Sequence, residues 1–147
     1  MAQPIPLGAS TRMPEPARPR ISVVNDNAEF LALMSAILDE EAGYEVTLFS
    51  GERMTVAELA AARPDLIIVD LLLGGASGWE LVTLARADEI LADVPIIVAS
   101  ADVIALRDRE HELERVGNVY VLPKPFGIDD VTGLVERLVG RGAPTTG

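Results

Sequence analysis

Cysteine is absent from this 147-residue chain, which excludes a disulfide framework, a thiolate nucleophile and a cysteine-ligated zinc site, and agrees with a reducing, cytoplasmic setting. Aromatic residues make up only 4% of it, and histidine occurs once, as His111 in a charged stretch. That scarcity argues against a histidine-based triad or a histidine phosphocarrier. No uninterrupted apolar run approaches the roughly 20 residues of a membrane-spanning helix, so a membrane partner is not expected. The opening residues, MAQPIPLGASTRMPEPARPR, lack the charged start, apolar stretch and small-residue cleavage site of a secretory signal. Positive charge is scarce as well. Lys plus Arg total 12 against 23 Asp plus Glu, a formal net charge of -11. With no basic patch, such a balance repels nucleic acid and anionic membranes alike. Lys124 is the one lysine, and a compact ammonium on a flexible stem is something arginine cannot supply.

What is present is an alternation of strand and helix signals between two irregular ends. Residues 1–20 hold five prolines and no apolar periodicity, and read as a disordered arm. Residues 141–147 read as a flexible tail, leaving 21–140 as one domain. A separate output module is not expected at this length. ISVVN is the first strand, and Phe30, Leu33, Met34, Ile37 and Leu38 then recur at the spacing of one buried helical face, closed by Gly43. EVTLF is a second strand, and an Ala-rich helix from Thr55 to Arg63 stops at Pro64. LIIVD, apolar until its last residue, suits a parallel strand covered on both faces. The loop GGASG leads into a helix with Trp79, Val82 and Leu84. PIIVAS is the fourth strand, and Asp102 to Arg115 reads as a charged, solvated helix. VYVL and PKPF precede a last helix with Val131, Leu134, Val135, Leu138 and Val139 on one stripe. The expected fold class is α/β, a flavodoxin-like (βα)5 doubly wound parallel five-stranded sheet of order 2-1-3-4-5 with right-handed crossovers.

In such a sheet, ligands sit beyond the carboxyl ends of the strands, where strand order reverses. The polar outliers of the sequence fall there: Asn25 and Asp26 after the first strand, Asp70 after the third, Ser100 after the fourth, Lys124 after the fifth. Asp26 and Asp70 should converge, and adjacent carboxylates suit a hard divalent cation such as magnesium. Taken singly each residue has a plainer reading, and Asp26, just before a helix, is a candidate cap. Their joint placement on one edge is the signal.

Four stretches, ISVVND, DLIIVDLLLGGASGWEL, VPIIVASA and VLPKPF, in this order and at these separations, resemble the receiver domain of bacterial response regulators from Ile21 to about Gly140. The resemblance implies that Asp70 is the phosphoacceptor, taking a phosphoryl group from the histidine of a sensor kinase or phosphotransfer protein. It implies that Asp26, Asp70 and the backbone carbonyl of Leu72 hold Mg2+, with Asn25 able to act through a water. Lys124 and Ser100 would contact phosphoryl oxygens, the small Ala101 would leave them accessible, and the proline of KPF would sit in a cis bond that aims the lysine. Phosphorylation would then switch contacts with a downstream effector protein or a second copy of the chain.

The sequence departs from the family pattern at three places. Asn25 stands where most receivers have an acid, which removes one formal charge and should weaken magnesium binding. Gly74 replaces a usual proline, implying a looser loop. The switch aromatic belongs at Val121, whereas the tyrosine is Tyr120; adjacent strand residues point to opposite faces. Either a one-residue irregularity brings Tyr120 round, or the switch works without the usual ring. Leu72 is apolar where many relatives are polar, and should shield an acyl phosphate from water. The alternative function is a pseudo-receiver, a phosphorylation-independent interaction module. An aspartate-nucleophile phosphatase or a dinucleotide-binding enzyme finds no support, because Asn25, Asp26 and Asn27 lack the required acid spacing and no Gly-rich loop follows the first strand.

Overall fold

The apolar runs become a five-stranded parallel sheet. In the computed structural model, residues 18–50, 55–70, 72–73, 76–100, 107–108, 111 and 115–140 are described, with backbone alone at 72–73, 76–78, 100 and 123. The strands are β1 (Arg20–Asn25), β2 (Glu45–Ser50), β3 (Leu66–Asp70), β4 (Ile96–Ser100) and β5 (Val119–Pro123), lying side by side in the order β2-β1-β3-β4-β5. All four pairings are parallel, which places every carboxyl end on one rim. The expected strand order is therefore observed. A short antiparallel ladder, Leu72–Leu73 with Ala76–Ser77, leads from β3 into the next helix.

Helices α1 (Ala28–Ser35), α2 (Val56–Ala61), α3 (Gly78–Arg86) and α4 (Ile128–Val139) cover the sheet. The start signals are side-chain caps: Asn27 Oδ1 accepts from the Phe30 N–H at α1, and Thr55 Oγ1 from the Glu58 N–H at α2. α1 runs on into a π-helical turn, Ala36–Glu41, where the Ala42 N–H reaches the Ile37 carbonyl. Gly43 ends it with φ 80°, the left-handed conformation that a Cβ would strain. The helix over 102–115 expected from the sequence lies for the most part outside the described residues, as does Gly74.

The sheet separates two cores. One packs Leu59, Val82, Ala85 and Leu91 against Val24, Ile67, Val69, Ile96 and Val98. The other packs Met34, Ile37, Leu38, Val131 and Val135 against Ile21, Val23, Ile68 and Ile97. β3 contributes to both, which is why it tolerates no polar residue before Asp70. One position assigned to a buried helical face is in fact exposed, Leu33 at 50%; in α3, Leu84 is 49% exposed and Ala85, at 0%, faces the core. Periodicity places a face to within one residue, and here the smaller side chain took the inner position.

At the amino ends of the strands, the Arg86 guanidinium donates to the carbonyls of Leu91, Gly117 and Asn118 at 3.0–3.2 Å. Burial pushes its pKa down, and the charge of Asp93 opposes that shift. Asn118, at φ 56°, accepts from the Tyr120 hydroxyl and donates to the Asp93 carbonyl, each at 3.0 Å. This knot joins the segment after α3 to the loop that enters β5.

Candidate functional site

The rim at the opposite end of the strands gathers the predicted residues. Asp70 ends β3, and its register partner on β4 is Ala99, so Ser100 stands one residue beyond. Ser100 in turn pairs with Pro123, which puts Lys124 one residue past β5. On the other side, the β1 to β3 ladder ends at Val24 and Val69, which brings Asn25 beside Asp70.

Two donors converge on one oxygen. Asp70 Oδ2 accepts from Lys124 Nζ at 2.7 Å and from Asn25 Nδ2 at 3.2 Å. The ion pair is largely enclosed, with side-chain exposures of 26% for Lys124 and 14% for Asp70, so its attraction is screened far less than that of a surface pair. Asn25 is itself only 3% exposed. Its Oδ1 accepts from the Asn27 N–H at 2.8 Å, so one end of the amide fixes the turn into α1 and the other fixes the carboxylate. An aspartate at 25 could make the first contact but not the second. The sequence reading gave Asn25 a role through water toward a metal; the structure gives it a direct bond to Asp70.

Asp26 is exposed in the turn after β1. It is not the helix cap, a place that Asn27 takes. Asp26, one residue past β1, and Asp70, at the end of β3, stand on the same rim, and carboxylates are the donors that suit magnesium, which is held by one or two of them and keeps several waters. Among the described residues, no group of three or more His, Cys, Asp or Glu that could hold a metal occurs. The backbone of Leu72 follows in the short ladder. The side chains of Leu72 and Ser100, and all of Ala101, lie outside the described residues. The Lys124–Pro125 peptide is cis, as expected.

The question left open at the fifth strand is settled by its register. β5 pairs without interruption from Val119 to Pro123. Tyr120 packs against the core beneath α1 and α4 and bonds to Asn118, whereas Val121 is 38% exposed. No irregularity brings Tyr120 round. Sequence reasoning missed Asn27, whose place just ahead of a helix is a readable cap signal, and Phe30, which was assigned to the core stripe alone.

The sequence model of the response regulator receiver domain matches residues 21–136. The chain belongs to that family. Among curated relatives, this receiver domain is 30% identical over 124 residues to the phosphate regulon transcriptional regulatory protein PhoB of Pseudomonas aeruginosa, covering 84% of this chain and 53% of the relative. It is also 30% identical over 123 residues to the DNA-binding dual master transcriptional regulator RpaA of Synechocystis, covering 84% and 50%. The chain thus spans about half the length of these relatives. Among solved structures, the chemotaxis protein CheY4 of Vibrio cholerae superposes with a TM-score of 0.75 at 26% identity, covering 84% of this chain and 100% of that one. The receiver domain of the sensor histidine kinase PA1611 of Pseudomonas aeruginosa, solved with magnesium coordinated in its active-site cleft, superposes with a TM-score of 0.66 at 28% identity, covering 84% and 99%. No described helix of this receiver is long and apolar enough to cross a membrane.

Proposed function

We propose that this receiver is a phosphorylation-switched signalling module rather than a metabolic enzyme, with Asp70 as its phosphoacceptor. The observation that carries the reading is the meeting of Lys124 and Asn25 on Asp70 Oδ2 at the rim next to Asp26. A carboxylate oxygen of Asp70 attacks phosphorus on a phosphohistidine donor, the O–P bond forms as the P–N bond breaks, and the imidazole leaves. Asp26, Asp70 and the Leu72 carbonyl would hold a magnesium ion, which supplies positive charge opposite the phosphoryl oxygens. Lys124 neutralises a further share of the negative charge on those oxygens through an ammonium already aimed at the acceptor. Ser100, one residue beyond the β4 partner of Asp70, donates its hydroxyl to a phosphoryl oxygen.

The donor is a sensor histidine kinase or a phosphotransfer protein, and the output is contact with an effector protein or a second copy. The surface biased by the switch is the one formed by β5, α4 and the segment before β5, where Val121 is exposed. Tyr120 is engaged elsewhere, so the change at Asp70 reaches this surface through Lys124 and the loop into α4 and not through a rotating ring.

Intact-mass spectrometry after incubation with acetyl phosphate and magnesium tests the reading on wild type and Asp70→Ala. One phosphoryl adduct on wild type, lost in the variant, is the expected result. No adduct on wild type would instead favour a phosphorylation-independent interaction module, for which the missing acid at Asn25 is the supporting feature.

A further inference from the structure

The ammonium of Lys124 has a second neighbour besides Asp70. Its Nζ lies 4.6 Å from the centroid of the Phe30 ring, over the face, where the π quadrupole attracts a cation. That ring is held in turn: Phe126 meets it edge-on, with centroids 6.2 Å apart and planes at 83°. Phe126 stands two residues past Lys124 in the loop into α4, so the lysine and the ring beneath it are clamped from the same segment. Phe30 is also tied to the acceptor through the backbone. Its N–H donates to Asn27 Oδ1, the Asn27 N–H donates to Asn25 Oδ1, and Asn25 Nδ2 donates to Asp70 Oδ2. Lys124 closes the circuit on the same oxygen.

We propose that Phe30 is a positioning residue for Lys124, holding the ammonium at the rim by its ring face while Asp70 changes from carboxylate to acyl phosphate. The inference rests on the phosphoacceptor reading above. Before transfer, the negative charge of Asp70 holds the lysine. As the O–P bond forms, that charge is drawn toward the phosphoryl group, and Lys124 must exchange Oδ2 for a phosphoryl oxygen. An attraction that does not depend on the state of Asp70 keeps the ammonium in place during the exchange, and a fixed aromatic face provides one. Phe30 is only half buried, and an aliphatic side chain would fill the same space without attracting the cation.

Lys124 is the sole lysine, so 15N,13C-lysine labelling gives one set of side-chain resonances with no assignment problem. The ε-methylene protons of wild type should be shifted upfield by the ring current, those of Phe30→Tyr should match, and those of Phe30→Leu should return to the unshifted position. Phosphorylation by acetyl phosphate with magnesium, followed by intact mass, should slow about fivefold in Phe30→Leu, which corresponds to about 1 kcal/mol at the barrier, and stay within about twofold of wild type in Phe30→Tyr. Thermal melts of both variants establish that they fold. An unshifted wild-type lysine, a Phe30→Leu lysine still shifted upfield, or a Phe30→Leu rate equal to wild type would overturn the proposal. If wild type takes no phosphoryl group, the phosphoacceptor reading fails on its own, and the lysine resonances alone decide whether Phe30 holds the ammonium.

Discussion

Replacing Asn25 with aspartate restores the acid that most receivers carry, yet the geometry of this site says that the change destabilises the metal-free protein. Asn25 is 3% exposed and donates to Asp70 Oδ2 across 3.2 Å. Asn25→Asp loses a hydrogen bond to a charged acceptor, worth about 1.5–3 kcal/mol. It also sets two carboxylates face to face. At the present 3.2 Å separation two unit charges repel by about 5 kcal/mol at an effective dielectric of about 20. Lys124, 2.7 Å from the same oxygen, offsets part of this, and rotation of the new carboxylate relieves more. A net loss of about 2–4 kcal/mol remains, a large share of the 5–15 kcal/mol that holds a typical domain together. For a domain of this size that lowers the melting temperature by about 8–15 °C. Melts followed by Trp79 fluorescence, with a chelator and then with excess magnesium, measure it. The variant should melt well below wild type in chelator and recover more than wild type on adding magnesium, because a ligand of the native state at about 100 times its Kd adds about 2.7 kcal/mol. A variant that melts at or above wild type in chelator would refute the reasoning, since Asn25 would then not be stabilising the Asp70 carboxylate.

At the other end of the sheet, Arg86→Ala should lower stability by about 2–4 kcal/mol through three carbonyls that lose a charged donor; urea midpoints give the value. Arg86→Lys should recover little of it, because one ammonium cannot span the fork, and a wild-type midpoint for the lysine variant would contradict the clamp. Asn27→Ala removes the α1 cap at a cost of about 1 kcal/mol, and a wild-type urea midpoint for this variant would show that the cap contributes nothing; the bond to Asn25 Oδ1 survives the change because it uses the backbone N–H of residue 27. Leu72→Glu should speed loss of the acyl phosphate about fivefold, or about 1 kcal/mol at the hydrolysis barrier, as followed by mass over time; an unchanged lifetime would show that Leu72 does not exclude water.

Much of the architecture was legible because it rests on short-range rules. LIIVD reads as a strand covered on both faces since nothing else buries four successive apolar residues so cheaply, and the run from Leu66 to Val69 is indeed buried throughout. The rim was legible for a related reason, since polar residues ending apolar strands of a parallel sheet share one edge whatever the helices do. What escaped the sequence depends on side-chain direction in three dimensions. Leu84 and Ala85 compete for one inward position, and only the packed helix decides between them. The amide of Asn25 has two useful ends, and only the position of Asp70 shows which points where. Phe30 belongs to an apolar stripe by spacing, and nothing in that spacing announces a cation above its ring.

The knot around Arg86 and Asn118 bears on how a chain such as this one can diversify. Among the described residues, none of its hydrogen bonds involves Asn25, Asp70 or Lys124, and it lies at the opposite ends of the same strands. On the function proposed above, substitutions near Asp70 can therefore retune partner choice or phosphate lifetime over generations while the far margin keeps the strands in register, so that new specificity need not be won at the expense of a foldable scaffold.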